Sequence, residues 1–178
     1  RGIGGNQFGE LGDGRVLAAG NGTTATSAEI YNPATATWQM TGFMQSQGPN
    51  AAYVVLNSSP AVTTVLRVGG ANSAEIYNSS TGLWTNTGVL NQPRQSFGLA
   101  KLANGNIFVA GGSIPNSPQV ILTSTEEYQV ASGTWVVRPV MGTSRASFSL
   151  TLLANGKVLG SGGSTLAGTS STSELYTP

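Results

Sequence analysis

An all-β chain made of repeated four-stranded sheets is predicted by three observations. Glu-x-Tyr recurs four times, at Glu29-Ile30-Tyr31, Glu75-Ile76-Tyr77, Glu126-Glu127-Tyr128 and Glu174-Leu175-Tyr176, with successive Tyr 46, 51 and 48 residues apart. In the first three copies a Trp follows seven residues after the Tyr, at Trp38, Trp84 and Trp135. Upstream of each copy an apolar run ends in a Gly-rich turn, at Gly20-Asn21-Gly22, Gly69-Gly70, Gly111-Gly112 and Gly162-Gly163. Self-similarity at a period near 50 fixes architecture before any single residue is interpreted. No ten-residue stretch combines helical apolar spacing with caps.

The third copy justifies the elements in order. Ser96 to Leu102 alternates small or polar residues with apolar ones, the period of a strand. Asn104-Gly105 follows, a two-residue hairpin signal in which both positions favour positive φ. Ile107-Phe108-Val109-Ala110 reads as a buried strand that Gly111-Gly112 ends. Ser124 to Gln129 is the third strand, carrying Glu126 and Tyr128; Ser132-Gly133 turns the chain, and Thr134 to Arg138 is the fourth. Pro139 stops it, since proline belongs at strand ends or edges. The fourth copy begins alike, with Phe148 to Leu153, Asn155-Gly156, Val158-Leu159, Gly162-Gly163 and Ser173 to Tyr176.

Such a sheet has two faces to bury and cannot bury them alone. Stacking one copy on the next is the logic of a propeller blade. The apolar run into Gly-Gly, the Glu-x-Tyr strand and the turn into Trp resemble kelch repeats of a bacterial type over residues 13–178. So does the six-residue step from Trp38, Trp84 and Trp135 to Met44, Leu90 and Met141. Arg94 and Arg145, 51 residues apart, stand ahead of the first strand, where kelch repeats often carry Arg. The resemblance implies a kelch-type β-propeller whose first strands line a central channel. The first two copies depart from it, with Gln47-Gly48-Pro49 and the N-terminus in place of the Arg. The second has four extra residues between Trp and Gly-Gly, 32 against 28. Gly5 to Gly14 resembles instead the Gly-x-Asn-x-x-Gly-Gln-Leu-Gly-x-Gly signature of the regulator-of-chromosome-condensation repeat family, also a propeller builder.

One domain over residues 1–178 is expected, with blades at about 5–44, 50–90, 95–141 and 146–178. That is about 3.75 blades, the last lacking a Trp-bearing outer strand. Three arrangements stay open. The chain is a piece of a larger propeller, a half-propeller that self-associates, or a small four-bladed ring. In the first two, further blades or a second copy cover the open ends, since stacked repeats must cap them.

Composition narrows function. Charged residues are 8% of the chain, net charge is +1, and two Lys and six Arg are scattered, so no basic stripe for nucleic acid exists. No apolar run approaches the roughly 18 residues of a membrane span. Cys and His are absent, which removes disulfides, thiolate or imidazole metal ligands, cysteine nucleophiles and the commonest general base. No cofactor or metal is expected. Low charge with abundant Gly, Ser, Thr and Asn fits a secreted or cell-surface protein, and the lack of Cys fits the cytoplasm equally.

Glu29, Glu75, Glu126 and Glu174 could form carboxylate pairs for glycoside chemistry, but that needs two carboxyls about 5–10 Å apart across a substrate. One per blade, on the third strand, points to hydrogen bonds that hold blades together. The equally spaced Tyr and Trp point to packing between blades rather than sugar stacking. Arg94 and Arg145 are candidates for an anion site at the channel mouth; an inter-blade ion pair with a repeat Glu is the competing reading. Among kelch-like propellers, the copper radical oxidase needs Cys and His that this chain lacks. The sialidase type needs an Arg cluster, a Tyr-Glu pair and an Asp acid, and Asp13 is the only Asp. Variation between copies is more informative. The longest Gly-Gly-to-Tyr segment, 16 residues in the third copy, holds apolar Val120-Ile121-Leu122 where a loop should be polar. Ile114, Pro115, Val120, Ile121 and Leu122 are therefore candidate binding residues. The alternative is that this loop extends its strands and covers a blade face. The expectation is a non-enzymatic scaffold for a protein or glycan partner, for self-assembly, or for both. The competing view is the non-catalytic share of a larger propeller enzyme.

Overall fold

Tight turns set the strand boundaries of this chain. The computed structural model describes residues 8–20, 26–46, 51–69, 72–115 and 120–178. Among them every regular element is a strand, as the alternating sequence requires. Among the described residues no helix is long and apolar enough to cross a membrane.

The first sheet runs β1 (Phe8–Glu10), β2 (Val16–Ala19), β3 (Ala28–Asn32), β4 (Thr37–Met40), each strand antiparallel to the next. The second repeats the order with β5 (Ala52–Ser58), β6 (Thr63–Val68), β7 (Ala74–Asn78), β8 (Leu83–Asn86). The third consists of β9 (Gly98–Lys101), β10 (Ile107–Ala110), β11 (Thr125–Gln129), β12 (Thr134–Arg138). All three are up-and-down meanders of the blade type. The extra residues of the second copy go into its first hairpin: β5 has 7 residues and β6 has 6, with a bulge between Val55 and Asn57.

The fourth sheet has three strands, β13 (Ser149–Leu152), β14 (Val158–Ser161) and β17 (Ser173–Tyr176). Between β14 and β17 the Ser/Thr/Gly segment folds into a small hairpin, β15 (Ser164–Thr165) and β16 (Gly168–Thr169). Its tip needs Gly168 at φ 115°, a conformation costly for any residue with a Cβ. Strand β17 pairs with β14 on one side and with no strand of the described residues on the other.

The chain divides between Thr87 and Gly88 into two compact units of two sheets each. In the first, Leu17, Ala19, Met44, Val65, Tyr77 and Trp84 form the centre of a buried cluster between the two sheets. In the second, Ala100, Phe108, Ala110 and Val158 do so, with Met141, Leu150 and Tyr176 packed against them. All four residues of the inner strand β10 are buried.

Candidate functional site

The repeated Glu lies two residues before its Tyr on the third strand, so both side chains share a face. In three blades its carboxylate accepts two consecutive backbone N–H groups from the connector that enters the blade. Gln45 and Ser46 donate to Glu75 at 2.7 and 2.8 Å. Asn91 and Gln92 donate to Glu126 at 2.7 and 3.1 Å. Gly142 and Thr143 donate to Glu174 at 2.6 and 2.9 Å. A carboxylate is suited to this work because its two oxygens can each take an N–H that the irregular connector leaves without a ladder partner. Glu29, in the first blade, is exposed.

A guanidinium completes each clamp. Arg94 Nη2 lies 2.8 Å from Glu126, while its Nη1 donates to the carbonyls of Gly111 and Ser124 at 2.8 and 3.1 Å. Arg145 repeats this on Glu174 at 2.9 Å, with the carbonyls of Gly162 and Thr172 at 2.9 and 3.0 Å. Both Arg are fully buried. Each pairs with the Glu of the blade it precedes, so the ion pair lies within a blade. The connector folds back over its own third strand because the same carboxylate holds its N–H groups.

The second blade, which lacks an Arg at that sequence position, supplies one from elsewhere. Arg67, on β6 directly opposite Glu75, reaches the carboxylate at 3.5 Å and the Gly69 carbonyl and Ser73 Oγ at 3.2 and 3.3 Å. It occupies the strand position of Val109 and Gly160, yet its guanidinium finds the same acceptors. The signal was present in the sequence: a lone Arg inside the apolar run Thr63–Val68 must be paired to be buried.

Burial works against ionisation of Glu126. The N–H of Asn91, the Asn91 amide and Arg94 outweigh it and hold the carboxyl below its ordinary range. Glu174 is lowered in the same way, burial being overcome by Gly142, Arg145 and Thr143. A carboxyl so held stays ionised and is a poor general acid. Among the described residues no group of three His, Cys, Asp or Glu could hold a metal ion.

Tyr and Trp meet first across their own hairpin. Tyr31–Trp38, Tyr77–Trp84 and Tyr128–Trp135 are directly opposite in register, with ring centroids 5.1, 5.1 and 5.2 Å apart. Trp84 then continues into the gap between the first two sheets. Trp135 Nε1 donates to the Gly88 carbonyl at 2.8 Å, tying the outer strand to the incoming connector. Trp38 is 48% exposed.

The candidate loop is partly ordered into the sheet. Ser113 bridges both Gln95 and Ile121, Ile114 N–H donates to Val120 O, and Leu122 N–H donates to Gly112 O. Leu122 is buried; Ile114, Pro115 and Ile121 are half-buried; Val120 is exposed. The stems therefore extend neighbouring strands, and Val120 is the candidate side chain that meets solvent. Residues 116–119 of this loop lie outside the described residues, as do Gln47-Gly48-Pro49 and residues 5–7.

A cavity of about 250 Å³, of which no sequence motif gives a sign, lies between the third and fourth sheets. It is lined on one side by Phe108, Ala110 and Met141 and on the other by Leu150, Val158 and Tyr176. It lies against β17. No protein-family model matches the chain, and no curated protein matches it.

Proposed function

We propose that this chain is a non-enzymatic, kelch-type propeller scaffold of a secreted or cell-surface bacterial protein. It acts by binding a partner, protein or glycan, and by joining further blades or a second copy of itself. One observation carries this reading: a largely apolar cavity adjoins β17, whose outer side no strand of the described residues pairs. Such an edge is a template for another chain. The engagement of Glu75, Glu126 and Glu174 by connector N–H groups supports it, because the residues that repeat are thereby committed to holding blades in shape. Low charge and the absence of Cys and His agree with a recognition surface more readily than with acid–base or metal chemistry.

The test is the mass of the purified chain in solution across a wide concentration range, together with capture of partners from a culture supernatant. A mass above the monomer, or a partner retained reproducibly, is expected. A strict monomer at high concentration that retains nothing would overturn the reading.

A further inference from the structure

The hairpin between the first two strands is built the same way in three blades. Leu11-Gly12-Asp13-Gly14-Arg15, Leu102-Ala103-Asn104-Gly105-Asn106 and Leu153-Ala154-Asn155-Gly156-Lys157 join the facing pairs Glu10–Val16, Lys101–Ile107 and Leu152–Val158. In each, the Leu N–H donates to the carbonyl of the last residue, at 2.7, 2.8 and 2.8 Å, and the Gly N–H donates to the Leu carbonyl at 2.9 Å. The residue before the Gly accepts, through its side-chain Oδ1, the N–H two residues on, at 3.0, 3.0 and 3.1 Å. The Gly stands at φ 84°, 87° and 81°. That accepting residue differs in chemistry and not in geometry: it is an acid in the first blade and an amide in the third and fourth.

Asp13 is what hydrolysis of an Asn at this position would leave. Its turn shows that the hairpin takes a carboxylate with the same register and the same hydrogen bonds. Arg15 Nε also donates to Asp13 Oδ2 at 2.8 Å, and Nη2 lies 2.7 Å from that oxygen. The residue in the place of Arg15 is an exposed Lys157 in the fourth blade. In the third it is Asn106, whose amide is engaged with Glu127 at 2.7 Å. Asn104 and Asn155 are both exposed. A Cβ on Gly105 or Gly156 would meet no atom within 4 Å, so the space beside each glycine is open. The remaining Asn-Gly pair, Asn21-Gly22, lies outside the described residues.

We infer that Asn104 and Asn155 are self-modifying sites, each converted to Asp by its own following glycine and water, and that Asn155 is the one whose product the fold stabilises. In the first step Gly156 N attacks Asn155 Cγ. The N–Cγ bond forms, the Cγ–Nδ2 bond breaks, and Nδ2 leaves as ammonia with the proton given up by Gly156 N. Water then opens the five-membered imide at the new N–Cγ bond, which leaves a carboxylate on residue 155 and restores the Gly156 N–H. Opening at the main-chain carbonyl instead would lengthen the backbone by one atom; only the first product is the one that Asp13 shows the turn to accept. Two features act on the rate in opposite directions. The N–H accepted by Oδ1 polarises the Asn carbonyl and makes Cγ more electrophilic. The bond from the Gly N–H to the Leu carbonyl must open before the nitrogen can attack, and an exposed hairpin opens locally far more often than the whole fold does. Once formed, the carboxylate at 155 has Lys157 where Asp13 has Arg15. The hydrogen bond from Arg15 holds the Asp13 carboxyl below its ordinary range. A carboxylate kept ionised returns to the imide slowly, so the conversion at 155 runs one way. Each conversion removes one unit from the formal net charge of +1.

The experiment incubates the purified whole chain in mildly alkaline buffer, folded and in urea, and follows it by ion exchange and by mass spectrometry of its peptides. The peptides carrying Asn104 and Asn155 are each expected to gain about 1 Da, the difference between an amide and an acid, in the folded chain as well as, faster, in urea. Asn106, which is followed by the β-branched Ile107, should gain nothing over the same period. Asn155→Gln should lose the gain at that site alone; should that variant not fold, the comparison with Asn106 still decides. Asn155→Asp should elute with the singly converted chain and keep the parent's urea midpoint. If the folded chain gains nothing at either site by the time the unfolded chain is fully converted, or if Asn106 converts as fast, the self-modification is overturned. A lowered midpoint in Asn155→Asp overturns the stabilised product. None of these results bears on partner binding or self-association, so the scaffold reading stands or falls separately.

Discussion

Arg94 and Glu126 meet at 2.8 Å with both side chains almost wholly out of contact with solvent. The pair is held on both sides, Arg94 by two carbonyls and Glu126 by two backbone N–H groups. Removing one partner of such a pair strands a buried charge, which costs about 3–5 kcal/mol. Arg94→Ala is therefore expected to lower the unfolding free energy, measured by urea titration, by that amount. Arg94→Lys should restore little, because one ammonium cannot span the Gly111 and Ser124 carbonyls and the carboxylate as a planar fork does. A fully stable Arg94→Lys protein would show that the charge alone suffices.

The same carboxylates set the acid limit. Glu126 and Glu174 titrate below their ordinary value of 4.5 in the folded chain, since hydrogen bonds and Arg override burial. The unfolded chain thus takes up protons first. The stability these groups contribute is fully present above the unfolded value and is lost as pH falls through the lower, folded values. Unfolding free energy should change little from pH 7 to about 5 on this account and decline below about 4.5. Glu126→Gln should make that decline shallower. A midpoint that follows pH identically in the variant would assign the acid limit to other groups.

How much of this was legible beforehand depended on whether the signal was local. The strands of the third blade were readable because Asn104-Gly105 and Ser132-Gly133 punctuate alternating runs, and β10 to β12 fall within or beside the expected ranges. The Glu clamp was readable as a structural role but not in its partners, because the donors are main-chain N–H groups that any residue carries. Arg67 was missed because it replaces Arg94 in space rather than in register. The cavity beside Tyr176 has no local signal either, since its lining residues come from two sheets and meet only once the strands are paired.

Two glycines show how closely the blade connectors approach the next hairpin. A Cβ on Gly42 or Gly88 would lie 2.3 Å from the carbonyl oxygen of Gly82 or Gly133, to which each already donates its N–H. The backbone cannot yield without losing that hydrogen bond. Gly88→Ala should cost about 1–3 kcal/mol, the usual penalty of forced overpacking. Thermal unfolding would measure it, and an unaltered transition would mean that the hairpin can move aside.

Val120 is the loop residue on which partner binding can be tested cleanly. It is 46% exposed, while its backbone carbonyl accepts from Ile114 N–H. Val120→Ser keeps that hydrogen bond and should shift stability by no more than about 0.5 kcal/mol. Reduced capture of a partner by the folded variant would place the loop in the binding surface. Unchanged capture would assign Val120 to the sheet extension alone.

Trp84 and Trp38 occupy the same position in adjacent blades and should differ sharply on truncation. Trp84 is buried against Tyr77, edge-on to Tyr53 and among Leu17, Ala19 and Met44. Trp38 covers Tyr31 but leaves 48% of itself in solvent. Deleting a buried indole loses its transfer free energy and leaves a hole, so Trp84→Ala should cost about 3–5 kcal/mol. Trp38 already keeps much of its surface in water, and Trp38→Ala should cost about 1 kcal/mol, chiefly through the lost ring contact. The comparison also bears on the fourth blade. Trp84→Ala would recreate in the first unit the opening that the second unit already has. Its crystal structure should then show whether Tyr77 rotates to stack on Leu17 as Tyr176 stacks on Phe108. If Tyr77 stays in place over an empty cavity, the position of Tyr176 belongs to its own blade and not to the cavity beside it.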